Sequence, residues 1–257
     1  MRWDDIQRDA MRRGELVYAM DQDVPGFDER QMPAEWAAAG LSGRCVGFAL
    51  RWIGLRAWGR DYHYTTISSG KDSGPTANGG FAEVPRDQAL SRGITAGFLI
   101  RVETVLKQYE VPVNRALYMR TERGVSAELV RDRVFAGDGL YYFELRRTGG
   151  AHAIAVQRFG HCYRLFDANE GHFVLNGEKR FVEYLTEFLT LTGYAKTYVA
   201  GTWIAGVSAV PPVPSHRPGP PLRRSRPGLR RGLDTGPWRH QWDPTPEIDL
   251  LGRRAVR

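Results

Sequence analysis

Cysteine is scarce in this chain: two residues, Cys45 and Cys162, in 257. That excludes a disulfide framework and a four-cysteine zinc site. No stretch approaches the about 18 consecutive apolar residues that mark a membrane-spanning helix. Met1-Arg2-Trp3-Asp4-Asp5 begins a polar segment without an apolar signal core. The expectation is a soluble protein, with any secretion following a route that has no readable hydrophobic signal. Phosphate-loop chemistry is missing too, because neither Gly79-Gly80 nor Gly149-Gly150 leads into a loop lysine. His161 and Cys162 fall at a hairpin tip, where they are expected to face solvent, and His63 and His172 lack partners at ligand spacing. The sequence therefore calls for no metal and no cofactor.

Net charge is nearly absent from most of the chain, although the total is +7. Ten of the 36 basic residues and four of the 29 acidic ones lie beyond Val210, which leaves 26 and 25 in the first 210 residues. The basic balance belongs to the tail, so the main domain has no electrostatic footprint for nucleic acid, and none is expected as a partner. Residues 211–257 also hold ten prolines, as in Pro218-Gly219-Pro220-Pro221, beside arginine steps such as Arg223-Arg224. Such a segment buries too little apolar surface to offset its ordering entropy, and it reads as a disordered tail. Clustered arginines there suit contact with an anionic membrane. Trp238 and Trp242 are its candidates for local docking.

What is present is a core. Hydrophobic residues make up 42% of the chain and aromatics 11%, enough for one domain over residues 1–210. Periodicity predicts helices over Ile6–Tyr18, Cys45–Trp58, Arg86–Ser91, Leu99–Tyr109 and Ser126–Phe135, with residues 1–40 as a helical lead-in. Ser126 is a plausible N-cap, and Glu128 adds negative charge to the first turn. The Ser-, Thr- and Gly-rich stretch Tyr62–Gly80 reads as a flexible loop. Strands follow at Asn114–Met119, Gly139–Arg146, His152–Phe159, Tyr163–Asp167 and His172–Leu175, with a turn at Gly160. A helix at Glu178–Leu191 and a long apolar strand at Tyr198–Val210 complete the pattern. Helices first and antiparallel strands second predict an α+β fold.

Against this outline Cys45 stands out. It sits where the turn Leu41-Ser42-Gly43-Arg44 gives way to Val46-Gly47-Phe48-Ala49-Leu50, at the first turn of a buried helix. Unpaired backbone N–H groups and the positive end of the helix dipole favour a thiolate there. A lone cysteine in such a helix is also an ordinary small hydrophobe, and a histidine on an apolar strand an ordinary core residue. The combination shifts the reading. His152 begins one strand of a predicted hairpin and Asp167 ends the other, so antiparallel pairing brings them to the same end of the sheet. There a carboxylate can orient an imidazole that serves a nucleophile.

The segments Gly43-Arg44-Cys45-Val46-Gly47-Phe48-Ala49-Leu50-Arg51-Trp52, Gly150-Ala151-His152-Ala153-Ile154-Ala155-Val156 and Phe166-Asp167-Ala168-Asn169-Glu170-Gly171 together resemble the YopT-type bacterial cysteine proteases. The resemblance runs from about Leu41 to Leu189. It implies a papain-like fold with Cys45 as nucleophile, His152 as base and Asp167 as orienting acid. Trp52 would pack two turns along the helix, with Asn169 and Gly171 in the turn after the acid. That turn has Ala168 where the family commonly has proline and His172 where it commonly has an acid. The family's oxyanion hole uses an amide shortly before the nucleophile, but Trp36-Ala37-Ala38-Ala39-Gly40-Leu41-Ser42 contains none. The Cys45 N–H, with Ser42 as second donor, is the expected substitute.

The resemblance further implies a secreted effector or toxin that cleaves a protein in the cytoplasm of a host or competitor cell. Two other readings stay open. The same triad serves glutamine deamidation or acyl transfer, and a non-enzymatic module led by the basic tail needs no triad.

Overall fold

The computed structural model describes residues 3–20, 44–60, 67–70, 74–77, 83–93 and 97–208. All of them lie within one compact unit, Met1–Arg217. The expected tail, with Trp238 and Trp242, and the residues 21–40 of the expected lead-in lie outside the described residues.

The first elements are α1 (Trp3–Arg12), β1 (Leu16–Ala19), α2 (Cys45–Ala57), β2 (Ile67–Gly70), β3 (Gly74–Ala77), α3 (Glu83–Gly93) and α4 (Phe98–Lys107). There follow β4 (Asn114–Thr121), α5 (Ala127–Val134), β5 (Gly139–Arg147), β6 (Gly150–Phe159), β7 (Cys162–Asp167), β8 (Gly171–Asn176), α6 (Glu178–Leu191), α7 (Tyr194–Thr197) and β9 (Gly201–Ser208). The fold is α+β, with an antiparallel seven-stranded sheet in the order β1-β8-β7-β6-β5-β9-β4.

Three expectations are corrected. The helix expected over Ile6–Tyr18 stops at Arg12, because Gly14 takes a left-handed φ of 68° and Glu15 N–H closes back on the Ala10 carbonyl at 2.8 Å. The chain then reverses, and Leu16–Ala19 joins the sheet against β8, so the lead-in is not helical throughout. Within the expected loop Tyr62–Gly80, β2 and β3 form an antiparallel two-stranded ribbon. The strand expected from Tyr198 begins only at Gly201, where φ is 152°. Tyr198 instead caps the one-turn helix α7.

The elements on either side of the sheet are dictated by side-chain alternation. Tyr142, Ala153, Ala155, Phe166, Ala205 and Val207 face α2, α3 and α4. Tyr141, Phe143, Leu145, Ile154, Val156, Leu165, Phe173 and Ile204 face α5 and α6. With both faces covered, β5 is buried over seven consecutive positions and cannot show the polar alternation of a one-sided sheet. Helix α6 turns Phe181, Tyr184, Leu185 and Phe188 inward. Ser126 caps α5, accepting the Leu129 N–H at 3.2 Å.

Helix α2 is apolar on nearly every side and is accordingly buried on every side. The small Ala153, Ala155 and Ala205 give it room over the sheet. Trp52 stacks on Phe166 with ring centroids 5.6 Å apart. On its other flank α3 crosses at Gly47, where an added Cβ would lie 2.3 Å from the Val84 carbonyl oxygen. Gly47→Ala should therefore lower stability by about 1–3 kcal/mol, since neither backbone can give way. Gly137→Ala, where a Cβ meets nothing within 4 Å, should stay within about 0.5 kcal/mol of the parent. Urea midpoints of the two variants check this, and equal shifts would refute the close approach.

Candidate functional site

Cys45 is the first residue of α2, and the side chain of its N-cap residue, Arg44, makes no capping hydrogen bond to the helix start. The first N–H groups of a helix have no partner within it, so the start of α2 presents donors and positive potential beside the thiol. One of these donors is taken: Gly47 N–H bonds the Gln88 side-chain oxygen at 2.8 Å. Gln88 is buried on α3, and among the described residues its Nε2 has no hydrogen-bond partner. A side-chain amide thus stands against the first turn of α2, although none directly precedes the cysteine in the chain. It arrives instead from a helix some forty residues later, where no local signal marks it. Ser42, the expected second oxyanion donor, lies outside the described residues.

His152 and Asp167 are set by the hairpin register. Leu145 pairs with His152 and Ile154 with Asp167, which leaves both side chains on the α6 face at the same strand end. His152 Nε2 lies 2.7 Å from Asp167 Oδ2, and both side chains are buried. The Cys45 side chain is close enough to act on the same imidazole, through its charge and as a hydrogen-bonding group. With Nε2 committed to Asp167, Nδ1 is the nitrogen left for the thiol. Cys45 packs with the core layer on the α2 face, so the contact is made around the end of the sheet, between its two layers.

Burial is the largest single influence on the His152 imidazole, and it disfavours the proton. The charges of Asp167 and then Cys45, with hydrogen bonds to both, outweigh it and hold the proton well above the usual histidine range. Asp167 is itself fixed by the turn after it: Asn169 N–H donates to Oδ1 at 2.7 Å.

Two tyrosines outside the candidate triad complete the arrangement. The Tyr194 hydroxyl lies 3.1 Å from His152 Nε2, donates to Asp167 Oδ1 at 3.4 Å and accepts from Asn169 Nδ2 at 3.0 Å. Burial first, and then the Asp167 charge, push its ionisation far above the usual phenol range, so it stays a neutral donor. Tyr198 lies along the imidazole, ring centroids 5.9 Å apart and planes 27° from parallel. Neither tyrosine falls in a motif, and a Tyr in a helix-to-strand connection signals nothing without the register around it.

The other polar candidates lie elsewhere. His161 is exposed at the β6–β7 turn, and Cys162 is free and half-buried. His172 is buried edge-on to the rings of Tyr18 and Trp52. His63 lies outside the described residues. Among the described residues there is no group of three His, Cys, Asp or Glu that could hold a metal, and no helix long and apolar enough to cross a membrane.

No family model matches the chain, and no curated protein matches it. Among solved structures the chain is similar to the Pseudomonas avirulence protein AvrPphB, with a TM-score of 0.47 and 19% identity, over 65% of this chain and 92% of that one. It is also similar to PatoxP, a cysteine protease-like domain of the Photorhabdus asymbiotica toxin PaTox. There the TM-score is 0.35 and the identity 8%, over 80% of this chain and 57% of that one.

The sign of the His152 shift generates a prediction. A raised native value means that the imidazolium contacts contribute fully below about 6.5, the unfolded value, and are lost as pH rises through the native one. Asp167→Asn removes the first of the groups that hold the proton, so His152 should deprotonate at lower pH in the variant. NMR titration of the His152 ring protons reads this directly. An unchanged midpoint would show that Asp167 does not govern the imidazole.

Proposed function

We propose that the protein is a thiol protease of the YopT type, acting as an effector on a protein of a target cell. One observation carries the reading: the buried imidazole of His152 is hydrogen-bonded to the Asp167 carboxylate and is acted on by Cys45 as well. A core histidine needs one partner, whereas a histidine held between a carboxylate and a helix-start cysteine is equipped to move a proton. The motif resemblance around Cys45, His152 and Asp167 supports the same reading.

In this reading the three groups share the chemistry. The Cys45 thiol passes its proton to His152, its sulfur attacks the scissile carbonyl carbon, and the carbonyl electron pair moves onto oxygen. Donors at the start of α2 receive the developing oxyanion. Collapse of the adduct breaks the C–N bond, and His152 delivers its proton to the departing amine. Water, deprotonated by His152, then attacks the thioester and releases the carboxylate and the thiol. Asp167, with Tyr194 behind it, holds the ring so that one nitrogen faces sulfur throughout. We assign the arginine-rich tail of residues 211–257 to anionic membrane surfaces, where each clustered arginine contributes about 1 kcal/mol, screened by salt.

The test is the appearance of new N-termini in a proteome exposed to the protein. Cys45→Ala should abolish them at a packing cost of about 1–2 kcal/mol. His152→Ala should do nearly the same, and the double variant should be little worse, because the groups act as one unit. Modified glutamines without new termini would replace the protease with a deamidase. New termini that persist in Cys45→Ala would remove the nucleophile assignment.

A further inference from the structure

The strand end that carries His152 is bordered by arginine. Strand β5 ends in Arg146 and Arg147, which the register sets beside Ala151 and Gly150, just before His152. Alternation sends the two guanidiniums to opposite faces of the sheet. Arg146 lies over the Trp203 ring at 3.9 Å and bonds Glu144 at 3.3 Å, a carboxylate it shares with Arg101. Its charge is compensated.

Arg147 differs. It is exposed, and among the described residues no carboxylate is paired with it. The acidic groups on neighbouring strand ends are occupied: Glu144 by Arg101 and Arg146, and Glu122 by Arg120 at 3.1 Å. Asp167 is buried against His152. The Arg147 guanidinium lies 6.0 Å from the Tyr198 ring centroid, and that ring in turn lies along His152. The Tyr198 hydroxyl is within electrostatic range of His152, Arg147 and Cys45 together, which ties the arginine to the site. Val199, the next residue, is 60% exposed despite its apolar side chain. The Tyr198 ring borders the imidazole, the Arg147 cation borders that ring, and the exposed Val199 follows Tyr198 in the chain.

The chemistry gives this border a direction. In the thiol-protease reading His152 protonates the departing amine, so the chain on the C-terminal side of the cut leaves past His152 and over Tyr198. We propose that Tyr198, Val199 and Arg147 form the subsite for the first residues after the scissile bond, and that it selects protein segments with an acidic side chain there. The inference rests on the protease reading. An exposed ion pair adds little affinity by itself. Selection comes from the opposite case, in which a lysine or arginine of the substrate would face Arg147 with no carboxylate to separate them.

The experiment is digestion of an amine-blocked, proteome-derived peptide library with the full chain, reading the new N-termini by mass spectrometry. The wild type should enrich Asp and Glu within the first three positions after the cut and deplete Lys and Arg. Arg147→Lys should keep that preference, whereas Arg147→Glu should lower the acidic-to-basic ratio about tenfold, since like charges then oppose an acidic substrate. The ratio is read within a single digest, so partial misfolding of a variant cannot imitate it. Cleavage without acidic enrichment, or a ratio indifferent to Arg147→Glu, overturns the subsite and leaves the protease reading standing. An absence of Cys45-dependent cleavage overturns both.

Discussion

A proton held inside the protein is the constraint on which this site depends. A fully buried imidazolium is costly unless opposite charge lies against it. Asp167 supplies that charge at 2.7 Å from Nε2, and Cys45 adds to it. Each neighbour is in turn fixed by something rigid. Asp167 is held by the Asn169 backbone and Tyr194, Cys45 by the first turn of α2, and α2 by the close crossing of α3 at Gly47. A shift in any of these elements would leave a charge unpaired in the core.

The layering explains why the site falls where it does. Helix α2 and the His152 side chain belong to opposite faces of one sheet, and they can meet only where the strands end. The alanines of β6 and β9 bring α2 down onto the sheet, and the β6–β7 register carries Asp167 to the end where α2 starts. The helix-start donors and the imidazole thus converge on a single edge, with Arg147 and Tyr198 beside it.

Much of this was legible in the chain. The helix at Cys45 and its apolar surround, the hairpin around Gly160, the Ser126 cap and the inward face of Glu178–Leu191 are all local signals, and they appear in the structure within a residue or two. The approach of His152 and Asp167 was legible because a tight hairpin fixes register. What escaped was contributed by distance in sequence. Tyr194 reaches the pair from a connection whose course is set by Gly193 and Gly201, and Gln88 reaches α2 across the Gly47 crossing. Leu16–Ala19 reads as helix until Gly14 is recognised as a stop, and its strand exists only because β8 offers an edge.

The central claim is that His152 activates Cys45. The most direct measurement is the rate of alkylation of each cysteine by iodoacetamide near pH 6, followed peptide by peptide in the wild type and in His152→Ala. Although Cys45 is the more buried of the two, it should react faster than the half-buried Cys162, and the advantage should disappear when His152 is removed. Equal rates in the wild type, or a Cys45 rate indifferent to His152→Ala, would contradict the account.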